Sequence, residues 1–450
     1  MTRDLSSIVK AYDVRGTVPD QLDPEVARAL GAAFARFARA PRLVVARDMR
    51  ESGTALVEAF SDGATAQGVD VVDAGLGSTD LLYYAAGTLD VPGAMFTASH
   101  NPAEYNGIKL CLAGARPVGQ DSGLREIRAE AERFLDTGVP SAGRRGQVTS
   151  QDLLAEYAAY MKALVPGIDA VRRLTVVVDA GNGMGGHTVP TVFAGLPLDV
   201  VQMYFELDGS FPNHEANPIE PANVADLQAR VLQERADLGL AFDGDADRCF
   251  VVDEQGRGVS PSALSALIAE RALAAEPGAT VLHNLITSRV VPEVVRAAGG
   301  TPVRTRVGHS YIKADMARTG AVFAGEHSGH FYFREFWNAD SGLLAALHLF
   351  AALGAQPGPV SALLAPYDRY AASGEINSSV PDPAARLAEL RRRYADRPQD
   401  ELDGLTVELG GGTWFNVRAS NTEPLLRLNV EAPDPATMAA VRDEVLALLR

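Results

Sequence analysis

Three times along this chain an apolar, β-branched run is followed by an Ala- and Leu-rich helical stretch, and then by a short apolar strand that ends in a polar loop. The opening runs lie at 42–46, 174–178 and 280–282, and the polar loops at 97–102, 243–248 and 325–330. Strands alternating with helices imply α/β domains whose sheets are mixed but mainly parallel. In such sheets ligands gather beyond the carboxyl ends of strands, where all these loops stand. The final segment breaks the pattern. A charged helical run at 385–394 precedes strand-like pieces at 405–409, 413–417 and 425–431 and a closing helix, which predicts a smaller α+β domain with an antiparallel sheet. The predicted domains are therefore 1–146, 147–252, 253–370 and 371–450.

A length of 450 residues suits several domains, and 47% hydrophobic with 22% charged residues suits real cores. The net charge of −16 argues against broad nucleic-acid binding. It leaves room for an anionic small ligand held by local Arg and Lys. Cys111 and Cys249 are the only cysteines, so no disulfide framework is implied. No stretch reads as a signal peptide or a membrane span, and a cytoplasmic protein without a membrane partner is expected.

The loop Asp243-Gly-Asp245-Ala-Asp247-Arg248 carries the strongest chemical signal. Its three carboxylates, clamped between apolar strands, repel one another unless a cation lies among them. All-oxygen ligands suit Mg²⁺ or Ca²⁺. An EF-hand is excluded, because Arg248 stands where that loop requires Gly. Three aspartates alone leave such an ion short of ligands, and a phosphate oxygen carried on Ser99 could complete the set. Ser99 lies on an exposed-type loop beside His100, without the Gly-x-Ser-x-Gly of a hydrolase elbow. Glu326 and Ser328 offer groups for sugar hydroxyls. Arg418, Ser420, Asn421 and Thr422 fit anion capture, although a plain polar turn is about as good a reading of that segment alone. Tyr12, Arg15, Lys109 and His309 stand on further polar loops.

Together the motifs TASHNP (97–102), DGDADR (243–248), GEHSGH (325–330) and RASNTEP (418–424), with YDVRG at 12–16, resemble those of the α-D-phosphohexomutase family over essentially the whole chain. Within it the chain is most similar to bacterial phosphomannomutases, including those that also act as phosphoglucomutases. The resemblance implies four domains around a central cleft: three similar α/β domains and a smaller, mobile fourth. It implies interconversion of mannose 6- and 1-phosphate, with glucose phosphates left open, through phosphorylated Ser99 and a hexose 1,6-bisphosphate that is both intermediate and activator. Asp243, Asp245, Asp247 and the Ser99 phosphate then match Mg²⁺ ligands. Glu326 and Ser328 match sugar-hydroxyl contacts, and Arg418, Ser420, Asn421 and Thr422 the grip on the non-reacting phosphate, with Tyr12 and Arg427 added as substrate contacts. Arg15, His100, Lys109, Arg248, His309 and His330 match residues in phosphate contact or proton transfer. Lys109 and His330 are the proton-transfer candidates, provided their pKa values are lowered or near neutral. Ile286 stands where many relatives carry Lys, and Arg289, Arg304 and Arg306 are candidate replacements. Alternatives are a phosphoglucosamine mutase or a non-catalytic phosphosugar-binding protein. A monomer or homodimer acting on small hexose phosphates is expected.

Overall fold

The computed structural model describes residues 3–419 and 425–450, so Ser420, Asn421 and Thr422 lie outside the described residues. The chain forms two compact units. One comprises 1–259 and 328–363, the other 260–327 and 364–450.

The first unit holds two mixed sheets. In one, Gly93–Phe96, Arg42–Arg47, Asp70–Leu76 and Val148–Ser150 run parallel in that order. Tyr105–Leu112 and then Val14–Thr17 continue it antiparallel. In the other, Leu238–Phe242, Leu174–Asp179 and Leu198–Met203 are parallel, with Cys249–Asp253 and Gly258–Val259 added antiparallel. The second unit repeats the arrangement with Phe323–Gly325, Thr280–Asn284 and Thr301–Thr305, all parallel.

The repeat is thus richer than the sequence pattern suggests. Beyond each opening strand lies a further strand that the apolar pattern passes over: Asp70–Leu76, Leu198–Met203 and Thr301–Thr305. The last two are sheet edges on which most residues are half-exposed, so their sequence lacks the apolar run of a buried strand. Both early sheets also run past the expected domain limits at 146 and 252. Val148–Ser150 and Gly258–Val259 are short, mostly exposed edge strands that hydrophobicity cannot mark. The segment expected as a third domain contributes to both units, since 328–363 belongs with the first.

Several helices, Pro24–Ala38, Pro261–Ala275, Pro383–Arg393 and Pro435–Leu449, begin the same way. A Ser or Asp side chain accepts a backbone N–H of the first turn, and Pro occupies the first helical position. The core of the first sheet centres on Phe34, Phe60 and Phe96, the last two edge-to-face at 5.3 Å. In the C-terminal sheet, Leu405–Gly410, Thr413–Ala419 and Leu425–Ala432 pair antiparallel as expected and bury Leu405, Phe415 and Leu428 against Leu390 and Leu449 of the flanking helices. Among the described residues no helix is long and apolar enough to cross a membrane.

Candidate active site

The loops after Gly93–Phe96 and Leu238–Phe242 meet in the first unit. Ser99 adopts a left-handed backbone, φ 49°. Its Oγ donates to Asp243 Oδ2 at 2.8 Å and lies 3.2 Å from His100 Nδ1. The approach requires a glycine, because a Cβ at Gly244 would come within 2.3 Å of the Ser99 carbonyl oxygen. Asp243, Asp245 and Asp247 each bring a carboxylate oxygen to a common point, all within 4.8 Å of one another. Asp245 Oδ1 and Asp247 Oδ1 are buried without a hydrogen-bond partner. Buried, unmatched carboxylate oxygens are what a hard divalent cation requires, so the residues present fit one.

The charge balance among these side chains is tight. Lys109 Nζ is 2.7 Å from Asp245 Oδ2 and 2.6 Å from Asp247 Oδ2. Burial favours the neutral amine, but the two carboxylates outweigh it and hold Lys109 protonated well above its ordinary range. That reverses the lowered pKa on which a proton-transfer role for Lys109 was conditional. Burial and then the charge of Asp245 drive Asp247 up against the pull of Lys109, whereas burial at Asp245 is outweighed by Lys109 and its pKa falls. Arg248 Nε pairs with Asp243 Oδ2 at 2.8 Å, and its Nη2 donates to His100 Nδ1 at 2.7 Å. Burial, then Arg248 and Arg15, push His100 well below its ordinary value, so the ring is neutral. Arg15 joins Asp13 at 2.5 Å and Asn101 Oδ1 at 2.6 Å. His330 Nδ1 lies 3.0 Å from Asp340 Oδ2 and 3.7 Å from Asp247 Oδ1. The first unit therefore gathers Arg15, Ser99, His100, Lys109, Arg248, His330 and the three aspartates. Ser328 is half-buried in the same unit.

Tyr12 also belongs to the first unit, and the second holds Glu326, His309, Arg418 and Arg427. Glu326 is buried, with Oε1 accepting from Asn284 Nδ2 at 3.0 Å and lying 3.5 Å from the Gly308 amide, next to His309 at the start of a helix. Arg418 Nη2 and Arg427 Nη1 straddle the Glu375 carboxylate at 2.6 and 3.3 Å. Ile286 is buried and supplies no cation. Of its suggested replacements, Arg289 pairs with Glu408, Arg304 with Asp400 and Arg306 with the Leu402 carbonyl.

Sequence reasoning missed Arg50, Asp340, Asn284, Glu375 and Thr79, whose Oγ1 donates to Asp245 Oδ2 at 2.5 Å. A signal existed for Arg50, which stands just beyond the carboxyl end of Arg42–Arg47, the kind of place already singled out for the polar loops.

Models for the three alpha/beta/alpha domains and the C-terminal domain of phosphoglucomutase/phosphomannomutase match residues 6–135, 155–256, 260–370 and 375–448. A phosphomannomutase of Escherichia coli is 37% identical over 98% of both chains. A protein of Xanthomonas campestris named for phosphohexose mutases is 41% identical over 98% of both. The crystal structure of a phosphoglucomutase/phosphomannomutase family protein from Burkholderia thailandensis superposes with a TM-score of 0.89 at 33% identity, covering 98% of this chain and 97% of that one. With the motif loops at 97–102 and 243–248 meeting at strand ends, and with relatives matched end to end, the chain belongs to the phosphoglucomutase/phosphomannomutase family of intramolecular phosphotransferases.

Proposed function

We propose that the protein interconverts mannose 6-phosphate and mannose 1-phosphate, with glucose phosphates as further substrates, through a phosphoserine at Ser99 and a hexose 1,6-bisphosphate. The observation that carries this reading is the 2.8 Å hydrogen bond between Ser99 Oγ and Asp243 Oδ2, which unites two motif loops far apart in sequence. The name of the Escherichia coli relative supports mannose as the sugar.

In the forward half-reaction the phosphoryl P–O bond to Ser99 breaks as a P–O bond to the sugar hydroxyl forms. The hydroxyl proton passes to His330, and the departing Ser99 Oγ takes up one proton from solvent, so that the serine ends as a hydroxyl. Asp340 accepts from Nδ1 of that ring, which makes Nε2 the basic nitrogen of its neutral form. The second half-reaction runs the same exchange backwards on the sugar's other phosphate. Arg15 and Arg248 bring guanidinium charge against the transferring group, and neutral His100 keeps Arg248 oriented. Glu326 and Ser328 hold sugar hydroxyls. Arg418, Arg427, Ser420, Asn421 and Thr422 grip the non-reacting phosphate, with Tyr12 and His309 as further contacts. A Mg²⁺ held by Asp243, Asp245 and Asp247 would supply Lewis acidity toward the phosphoryl oxygens. We read the protein as a cytoplasmic monomer or homodimer of four domains, the first two extending through Val148–Ser150 and Gly258–Val259 past the limits at 146 and 252, with no nucleic-acid or membrane partner.

The test is turnover of mannose 1-phosphate, glucose 1-phosphate and glucosamine 6-phosphate compared side by side, with Mg²⁺ and a bisphosphate activator. Mannose phosphate is expected to lead. Preference for the amino sugar would replace the reading with a phosphoglucosamine mutase, and no turnover of any with a binding protein. Ser99→Ala is expected to abolish turnover and the phosphate adduct seen by intact mass.

A further inference from the structure

We propose that Arg50 is the positioning residue that holds the Ser99 loop in its reactive conformation, acting through the loop's backbone. This rests on the reading of Ser99 as the phosphoryl carrier. Arg50 is 2% exposed, one of the largest fully buried side chains in the protein. A buried guanidinium is costly unless its donors are matched. Here they are matched almost entirely by one loop. Nη2 donates to the carbonyls of Ser99 at 2.9 Å and Asn101 at 2.6 Å, and Nη1 to those of Pro102 and Tyr105, each at 2.8 Å.

The arginine is itself anchored from below. Asp48 Oδ1 accepts from the Arg50 amide at 3.0 Å, and Asp48 Oδ2 lies 3.3 Å from Nε. The Phe211 ring lies 5.2 Å from the guanidinium carbon. Gly209 packs so closely that a Cβ there would stand 2.9 Å from the Arg50 Cα. Arg50 is thus a rigid peg around which 99–105 is wound.

The loop needs such a peg. Ser99 is held in the left-handed region, which a serine does not favour unaided. The carbonyls that Arg50 collects converge on one planar group, and without it they would be buried acceptors with nothing to bind. Lysine cannot replace it, since an ammonium lacks the planar spread of donors. Arg50 bonds to the Ser99 carbonyl and not to its hydroxyl, so it fixes where Oγ stands without entering the chemistry.

The substitution that tests this is Arg50→Lys, which keeps the charge and loses the geometry. The expected result is a kcat lowered ~100-fold with KM for the hexose phosphate within ~3-fold of wild type, because a small misplacement of the reacting atom slows the step without touching the substrate contacts. Backbone amides of 99–105 are expected to exchange with deuterium faster, while those of Gly93–Phe96 keep their protection. A purely structural role would lower the active fraction and loosen both segments alike. Wild-type kcat together with unchanged loop exchange would overturn the proposal. Should Arg50→Lys not fold, Phe211→Leu removes the ring from the guanidinium and leaves the hydrogen bonds. It is expected to speed exchange of the same amides to a smaller degree, and unchanged exchange would count against the proposal. Exchange does not depend on turnover. If wild type turned over no hexose phosphate, the functional reading would fall while the exchange comparison still decided the role of Arg50.

Discussion

At the scale of single residues, the site is a problem in charge placement. Three buried aspartates converge, with Arg248 against Asp243 and Lys109 between Asp245 and Asp247. Removing one partner of a buried ion pair costs about 3–5 kcal/mol, because the other charge is left without compensation. A divalent cation binding the same carboxylates would offset that loss. Lys109→Met is therefore expected to lower the thermal midpoint strongly in EDTA and to recover much of it with Mg²⁺, a larger recovery than wild type shows. Equal metal responses in the two proteins would refute the counter-ion role. The aspartates, Ser99 and the basic residues of the motifs were legible in the sequence because each sits in a short, unusual string. Asp340 and Glu375 were not, since each lies in an ordinary string and gains meaning only through a partner folded beside it.

At the scale of elements, one buried carboxylate ties the helices around the site together. Asp80, in the helix Thr79–Thr88, accepts from Ser78 and, at 2.6 Å, from Ser341 Oγ. Ser341 is the N-cap of the helix Gly342–Gly354 and follows Asp340, the partner of His330. Burial pushes Asp80 up to about 6, with the hydroxyl donors pulling the other way. A folded-state value above the ordinary 3.8 means the group favours folding below that value, and that this contribution is lost as pH rises through about 6. At 1.36 kcal/mol per pH unit the loss is about 3 kcal/mol. Asp80→Asn cannot ionise and keeps a group that can both accept and donate. Its thermal midpoint relative to wild type is expected to rise between about pH 4.5 and about pH 7.5. A constant difference would show that Asp80 does not carry the titration. The main strands here were legible from runs such as 42–46 and 174–178, whose stretches 43–46 and 176–178 are buried on both faces. Edge strands such as Leu198–Met203 were not, because a strand with one partner and a wet side carries no such run.

At the scale of the whole molecule, an enzyme for anionic sugars carries a net charge of −16 and must concentrate cations where the phosphate is held. In the second unit Arg418 and Arg427 share the carboxylate of Glu375, whose oxygens they contact at 2.6 and 3.3 Å. A carboxylate spanning two guanidinium groups occupies the geometry a phosphate would take. If Arg418 and Arg427 grip the phosphate as proposed, Glu375 pairs with them between turnovers and an incoming phosphate has to displace it. Glu375→Gln removes the competing charge and preserves the shape, so KM for the hexose phosphate is expected to fall ~3-fold or more with kcat little changed. The effect is electrostatic and near the surface, and it should shrink as salt screens it. A KM that rises in Glu375→Gln would mean that the carboxylate orients the arginines for substrate. A KM that falls by the same factor at every salt concentration would place the effect in packing, leaving charge competition without support.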